Sequence, residues 1–177
     1  QRIVDLACGT GGVTRLIAER LRGARDSVVI GIDHSASALR QAVEDLKDVR
    51  DAAVQFVQSQ VEQVSETVKE KVDTVIFCNA IHYVPDKAAL LKMIRDAIKP
   101  GGTFVFNSSF FKGAHPPETD LFARKWMMRS ARILRREYGL SPVRSGKVES
   151  RRQLTPEEYR GLLEDQGFRI AKQEIET

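Results

Sequence analysis

An apolar run that ends in a glycine turn and passes straight into a helical pattern leaves a chain few ways to begin a fold. Here the run is Ile3-Val4-Asp5-Leu6-Ala7-Cys8, the turn is Gly9-Thr10-Gly11-Gly12, and Val13, Leu16, Ile17 and Leu21 follow at helical spacing. The reading is strand, tight turn, helix N-terminus. Glycines let backbone pass close to a ligand because no Cβ stands in the way. A helix starting behind them presents unpaired N–H groups and the positive end of its dipole. The turn is therefore a candidate cradle for something flat, polar or anionic.

The rest of the chain repeats the alternation. Ser27 to Asp33 is a second strand ending in an acid, and Ser35 is the expected N-cap of a helix carrying Ala38, Leu39, Ala42, Val43 and Leu46. Ala53 to Val57 is a third strand, and residues 61–69 a short helix. Val72 to Cys78 is a fourth strand, rich in β-branched residues. Pro85-Asp86 opens a helix that Lys99-Pro100-Gly101-Gly102 closes. Thr103 to Asn107 is a fifth strand. Strand and helix in strict alternation imply a doubly wound, Rossmann-like α/β fold with a mostly parallel sheet. Ligands of such sheets sit beyond the carboxyl ends of the strands, where strand order reverses.

The alternation breaks after residue 107. Residues 108–154 hold a Pro116-Pro117 turn, a helix from about Glu118 to Tyr138 and a loop. Thr155-Pro156-Glu157-Glu158 is a capping box that starts a last helix. Gly167 ends it, and Phe168 to Ile175 reads as a sixth strand. The expected organisation is one domain: a ligand-binding core over 1–107, a helical lid insertion over 108–154, and a closing helix and strand over 155–177.

Composition sets outer limits. With 42% hydrophobic and 29% charged residues the chain is not mainly disordered, and no apolar run reaches the ~20 residues of a membrane span. Cys8 and Cys78 make no disulfide framework, which points to a reduced, cytoplasmic setting. They end neighbouring strands and read as small buried residues. Ligand-spaced groups for a metal are absent from the sequence. The net charge of +4 is uneven: residues 124–152 carry ten Lys/Arg against two Asp/Glu.

Two ligand classes use a glycine turn after a first strand. A dinucleotide fingerprint, G-x-G-x-x-G, needs a third glycine where Thr14 stands. Asp5, inside the strand, also suits a ligand with an ammonium group better than a pyrophosphate. The stretch VDLACGTGGVT instead resembles the first motif of the class I S-adenosylmethionine-dependent methyltransferases. GIDHS resembles that family's ribose-binding acid, and DTVIFCNAIHYVPD its fourth-strand motif. IKPGGTFVF resembles the turn before the fifth strand, and LTPEEYRGLLEDQGF the helix closing the substrate side.

The resemblance implies methyl transfer from S-adenosylmethionine to a small acceptor, with S-adenosylhomocysteine as product and O- or C-methylation favoured. Asp5, Ala7, Gly9 and Gly11 would face the methionine part, and Asp33 the ribose hydroxyls. His34, Gln60 and Val61 would lie by the adenine, and Asn79 and Ala80 against the sulfonium side. His82, Tyr83, Phe110, Trp126 and Arg129 would face the acceptor. Three departures stand out: Ala7 replaces a usual glycine, Gln60 replaces a usual acid, and the family's N-terminal helix and seventh strand are not visible in these 177 residues.

Each reading has a plainer rival. Asp5 either caps the glycine loop or contacts the cofactor. His34 is a turn residue or an adenine neighbour. His82 is a general base or a residue that shapes the pocket, and His115 reads as an exposed loop residue. In the helix 118–138, Lys125, Arg129, Arg132 and Arg136 form one stripe, and Ala123, Met127, Ala131, Leu134 and Tyr138 another. The cationic stripe fits an anionic or carrier-bound acceptor, or is a solvated face; with only Trp126 and Tyr138 for base stacking it fits nucleic acid poorly. The whole could also be a non-catalytic binding or scaffold module, a reading the intact loop opposes.

Overall fold

The computed structural model describes residues 1–24, 26–49, 53–141 and 153–175. Its elements are β1 (Arg2–Leu6), α1 (Gly12–Arg20), β2 (Val28–Asp33), α2 (Ala36–Asp45), β3 (Ala53–Gln58), α3 (Val64–Thr67), β4 (Val72–Cys78), α4 (Lys87–Ala97), β5 (Ile98–Asn107), α5 (Pro117–Tyr138) and α6 (Pro156–Asp165). Short 3-10 turns occupy Val61–Gln63 and Ile81–Tyr83. The five strands form one parallel sheet in the order β3-β2-β1-β4-β5. From β1 the chain winds outward through β2 and β3, then returns to β4 on the other side. The order therefore reverses between β1 and β4, and their carboxyl ends frame the crevice where such sheets bind ligands.

Period-2 alternation divides the strands between two faces. Val4, Leu6, Ile30, Ile32, Val75 and Phe77 point into the main core, which Val64, Leu90, Ile94, Ala97 and Tyr159 close from α3, α4 and α6. Ile3, Asp5, Val29 and Gly31 alternate with these and lie on the α1–α2 side. There a side chain at Gly31 has no room: a Cβ would stand 2.7 Å from the Phe56 ring and 3.0 Å from Cys8 Sγ. Gly31→Ala should therefore lose about 1–3 kcal/mol by overpacking, read as a lower urea midpoint with an unchanged m-value.

The expected caps are present. The Ser35 hydroxyl accepts from Ala38 N at 3.3 Å. Thr155 and Glu158 complete the capping box, with Thr155 N donating to Glu158 Oε2 at 2.7 Å and Glu158 N to Thr155 Oγ1 at 3.1 Å.

Three expectations about secondary structure change. Residues 168–175 form no strand: a strand exists only through its ladder, and none of the five strands pairs with this segment. β5 starts at Ile98 rather than Thr103, so Lys99-Pro100-Gly101-Gly102 belongs to the strand, where register slips between Val72 and Thr74. Such an irregularity accommodates an extra stretch in one partner. Residues 61–69 become a 3-10 turn running into the four-residue α3.

The insertion differs most from expectation. No residue of α5 is buried. Phe122, Trp126 and Tyr138 are each more than 60% exposed, so both the cationic and the apolar stripe face outward. No helix among the described residues is long and apolar enough to cross a membrane.

Candidate active site

The glycine turn is held from two sides. Cys8 N donates to Ile32 O at 3.0 Å, which ties the end of β1 to β2, and Gly11 N closes onto Cys8 O at 2.9 Å. Gly9 and Gly11 sit at φ +55° and +83°, a region that side chains disfavour. Ala7 also lies there, at φ +56°. The backbone at this position thus has the geometry of the glycine that the resembling family places there, and alanine holds it at a cost of about 1 kcal/mol.

Asp5 lies beneath the turn, 1% exposed. Its carboxylate accepts the Thr14 hydroxyl at 2.6 Å and also bonds the Thr14 backbone. The first turn of α1, whose Gly11 N-cap offers no side chain, is thereby satisfied from the strand. Burial drives the Asp5 pKa up to about 6, against the Thr14 bonds and with help from the Asp33 charge.

Asp33 ends β2 on the same rim. One of its oxygens accepts Gly9 N at 2.9 Å and the other Ser35 N at 2.8 Å. An ionised carboxylate has about four lone-pair sites, so two remain, enough for a pair of hydroxyls. Next to it, Ser59 N donates to Asp33 O at 3.0 Å and Gln58 Nε2 to His34 O at 3.1 Å. These bonds bring His34, Gln60 and Val61 to the same side as Asp33. The His34 side chain is 68% exposed, Gln60 is exposed and Val61 half-buried.

Across the crevice, Asn79 follows β4 with φ +49°. Its N–H reaches Asn107 O at 3.1 Å and Asn107 Oδ1 at 2.7 Å. Its own Oδ1 accepts Ser109 N at 3.2 Å and Ser109 Oγ at 2.8 Å. The two strand ends are stitched together, which fixes the strained backbone leading into Ala80.

His82 is 2% exposed, in the 3-10 turn after β4. Its Nδ1 lies 3.1 Å from Ser108 Oγ, and its ring packs against Tyr83 and Phe110 at centroid distances of 4.2 and 4.4 Å. Nε2 is buried without a hydrogen-bond partner. Burial first, and the Lys87 ammonium second, push its pKa below the usual histidine value. The structure therefore brings His82, Tyr83 and Phe110 together and leaves Trp126 and Arg129 out on α5. Cys8 is buried and Cys78 half-buried, both free thiols, and burial pushes the Cys8 thiol up to about 12. No group of three His, Cys, Asp or Glu suited to a metal occurs among the described residues.

Sequence reading missed Thr14, Ser108, Ser109 and Asn107. Thr14 was visible only as a missing glycine. Ser108 follows the carboxyl end of β5, which is where the doubly wound rule puts ligand-side residues.

Fold and site together define a doubly wound domain with an acid-lined, glycine-turned crevice at its switch point. A family model described as "Methyltransferase domain" matches residues 4–104, and the chain belongs to that family. Over 103 residues it is 35% identical to a trans-aconitate 2-methyltransferase of Afipia carboxidovorans, covering 58% of this chain and 36% of that protein. Over 170 residues it is 25% identical to a ubiquinone biosynthesis O-methyltransferase of Acinetobacter baylyi, covering 96% of this chain and 64% of the relative. The chain spans 36–65% of the length of such curated relatives. Among solved structures, the plantazolicin methyltransferase BamL, in complex with a triazolic desmethylPZN analog and SAH, shares the fold. Its TM-score is 0.61 at 19% identity, covering 94% of this chain and 53% of that one.

Proposed function

We propose that this domain binds S-adenosylmethionine along the rim from Asp5 to Asn79 and directs its methyl group to a small, anionic acceptor, at oxygen or carbon. The observation that carries this is the convergence of four separate strand ends on one crevice. The Ala7–Gly11 turn, Asp33 and the 58–61 loop are joined there by Gly9 N to the Asp33 carboxylate, Ser59 N to Asp33 O and Gln58 Nε2 to His34 O, and Asn79 is fixed across the crevice to the end of β5. The residues fit the cofactor: Asp33 keeps two lone pairs for the ribose diol, and Asp5 supplies negative charge below the turn that would take the methionine ammonium. Gln60 would accept from the adenine amino group through its amide oxygen, with no charge.

When bound, the sulfonium supplies an already activated leaving group. The protein's share is then alignment and exclusion of water. Asn79 and Ala80 would line the sulfur side, while Tyr83, Phe110 and His82 would form the acceptor wall. Arg129 and Trp126 would join it from α5, whose cationic stripe draws an anionic acceptor.

The test is calorimetry with S-adenosylhomocysteine and with NAD, then a mass-spectrometric screen of anionic acceptors. Binding of the first and not the second is expected; no binding of the first overturns the proposal. Reversing Lys125, Arg129 and Arg132 to Glu should raise the acceptor KM about tenfold with cofactor affinity unchanged. The uncovered apolar stripe of α5 is the one observation favouring a binding module instead, and that reading requires cofactor binding with no turnover on any acceptor.

A further inference from the structure

Helix stability in proteins comes mostly from burying an apolar face, yet α5 buries none of its residues. Leu121, Phe122, Trp126, Met127 and Met128 are each more than half exposed. At 3.6 residues per turn, Arg124, Lys125, Arg129, Arg132, Arg135 and Arg136 fall within one arc of about 140°. Leu121, Met128 and Glu118 lie among them. Phe122, Trp126, Met127, Ile133, Leu134 and Tyr138 occupy the remaining arc. No acid occurs from Leu121 to Arg136; Asp120 and Glu137, on the apolar arc, stand in the end turns. On the cationic side a depression of about 470 Å³ is lined by Met128, Ala131, Arg132, Arg135 and Arg136.

Charge decides what can cover this helix. A second copy of α5 laid along the first would set cations against cations, with acids only at the helix ends to meet them. A nucleic acid would neutralise the cations but leave Met127, Ile133 and Leu134 nothing to bury against. A lipid surface bearing phosphates meets both arcs at once. Its acyl boundary takes the apolar residues, and its headgroups take the guanidiniums, whose stems lie along apolar surface. α5 is not apolar enough to cross a bilayer, and its length of about 33 Å suits lying along one. We propose that α5 seats the domain on an anionic lipid surface, with Phe122, Trp126 and Ile133 at the acyl boundary and the six cations at the phosphates. The proposal goes beyond the methyl-transfer reading and does not depend on it. The segment leading into α5 begins at Ser108, beside His82, and is tied down where Lys112 N donates to Leu154 O at 2.9 Å. A seated α5 therefore brings the acceptor side of the crevice to the lipid.

Trp126 is the single tryptophan of the chain, so its emission reports on α5 alone. The experiment is vesicle flotation and tryptophan fluorescence, with vesicles of phosphatidylcholine alone and of phosphatidylcholine mixed equally with phosphatidylglycerol. Binding to the mixed vesicles with a blue shift of the Trp126 emission is expected, and binding at least about tenfold weaker to phosphatidylcholine alone. Replacing Arg124, Arg135 and Arg136 together by Gln should weaken binding to the mixed vesicles about 100-fold. Phe122→Ser should weaken it about tenfold without changing the charge. All these positions are exposed, so far-UV circular dichroism and S-adenosylhomocysteine affinity should match wild type in both variants. Failure to bind the mixed vesicles overturns the proposal, as does equal binding to both vesicle types or binding that neither variant weakens. Binding without a blue shift overturns it too, because the apolar arc would then not be seated. Sedimentation velocity without vesicles should find a monomer. A dimer whose Trp126 emission is already blue-shifted would give this face to a second copy instead.

Discussion

Asp33→Ala should weaken S-adenosylhomocysteine binding about 100-fold or more. In the proposed site the carboxylate would offer its two remaining lone pairs to the ribose hydroxyls, and a hydrogen bond to a charged group contributes about 1.5–3 kcal/mol. Two such bonds lost correspond to at least about 3 kcal/mol, and each 1.4 kcal/mol is tenfold in affinity. The same substitution strips acceptors from Gly9 N and Ser35 N, so the turn loosens as well. Asp33→Asn separates the two effects. Its one amide oxygen can still serve the turn or the ligand, but not both with full charge, and the loss should fall to about tenfold. Calorimetry reads the affinities, and near-UV circular dichroism shows that each variant is folded. An affinity for Asp33→Ala within threefold of wild type, in a folded protein, would confine Asp33 to holding the turn.

The place of Asp33 on the rim marks how far the sequence could be read. The strand-end acid after a β-run was legible, because an apolar stretch that stops at Asp and restarts at a Ser N-cap has one natural geometry. Its bond to Gly9, 24 residues away, was not, since which turn lies beside which strand end depends on sheet order. The core of the fold was equally open to reading: β1 to β4 and α1, α2, α4 and α6 announce themselves by period and by caps. The sixth strand misled because a strand's pattern says nothing about whether a partner is present. α5 misled differently. Its two stripes were correctly ordered on the helix, but amphipathicity states what a helix could bury, not that a neighbour is there to cover it. Ser108 was invisible for a third reason. Its contact with His82 joins the ends of two strands 26 residues apart, and no spacing rule connects those positions.

Asp5 carries the second large effect, and pH decides between its two readings. In the folded protein burial lifts its pKa to about 6, against 3.8 for the unrestrained side chain. The folded chain thus keeps a proton that the unfolded chain releases, so stability falls as pH rises through this window. The loss is absent below pH ~4, grows to pH ~6 and is complete by pH 7, where it amounts to about 3 kcal/mol. Asp5→Asn removes the titration while its amide oxygen can still accept the Thr14 hydroxyl. Urea denaturation should find the variant about equal to wild type near pH 4 and more stable by about 2–3 kcal/mol at pH 7. A wild type that gains nothing relative to the variant on acidification would refute the shift. If the carboxylate meets the cationic ammonium of the cofactor, only the ionised form binds well. S-adenosylhomocysteine affinity should then drop about tenfold for each pH unit below 6 in wild type, and stay flat but weak in Asp5→Asn. If Asp5 only caps α1, the two proteins bind alike at every pH, and the ammonium must find its partner elsewhere on the rim.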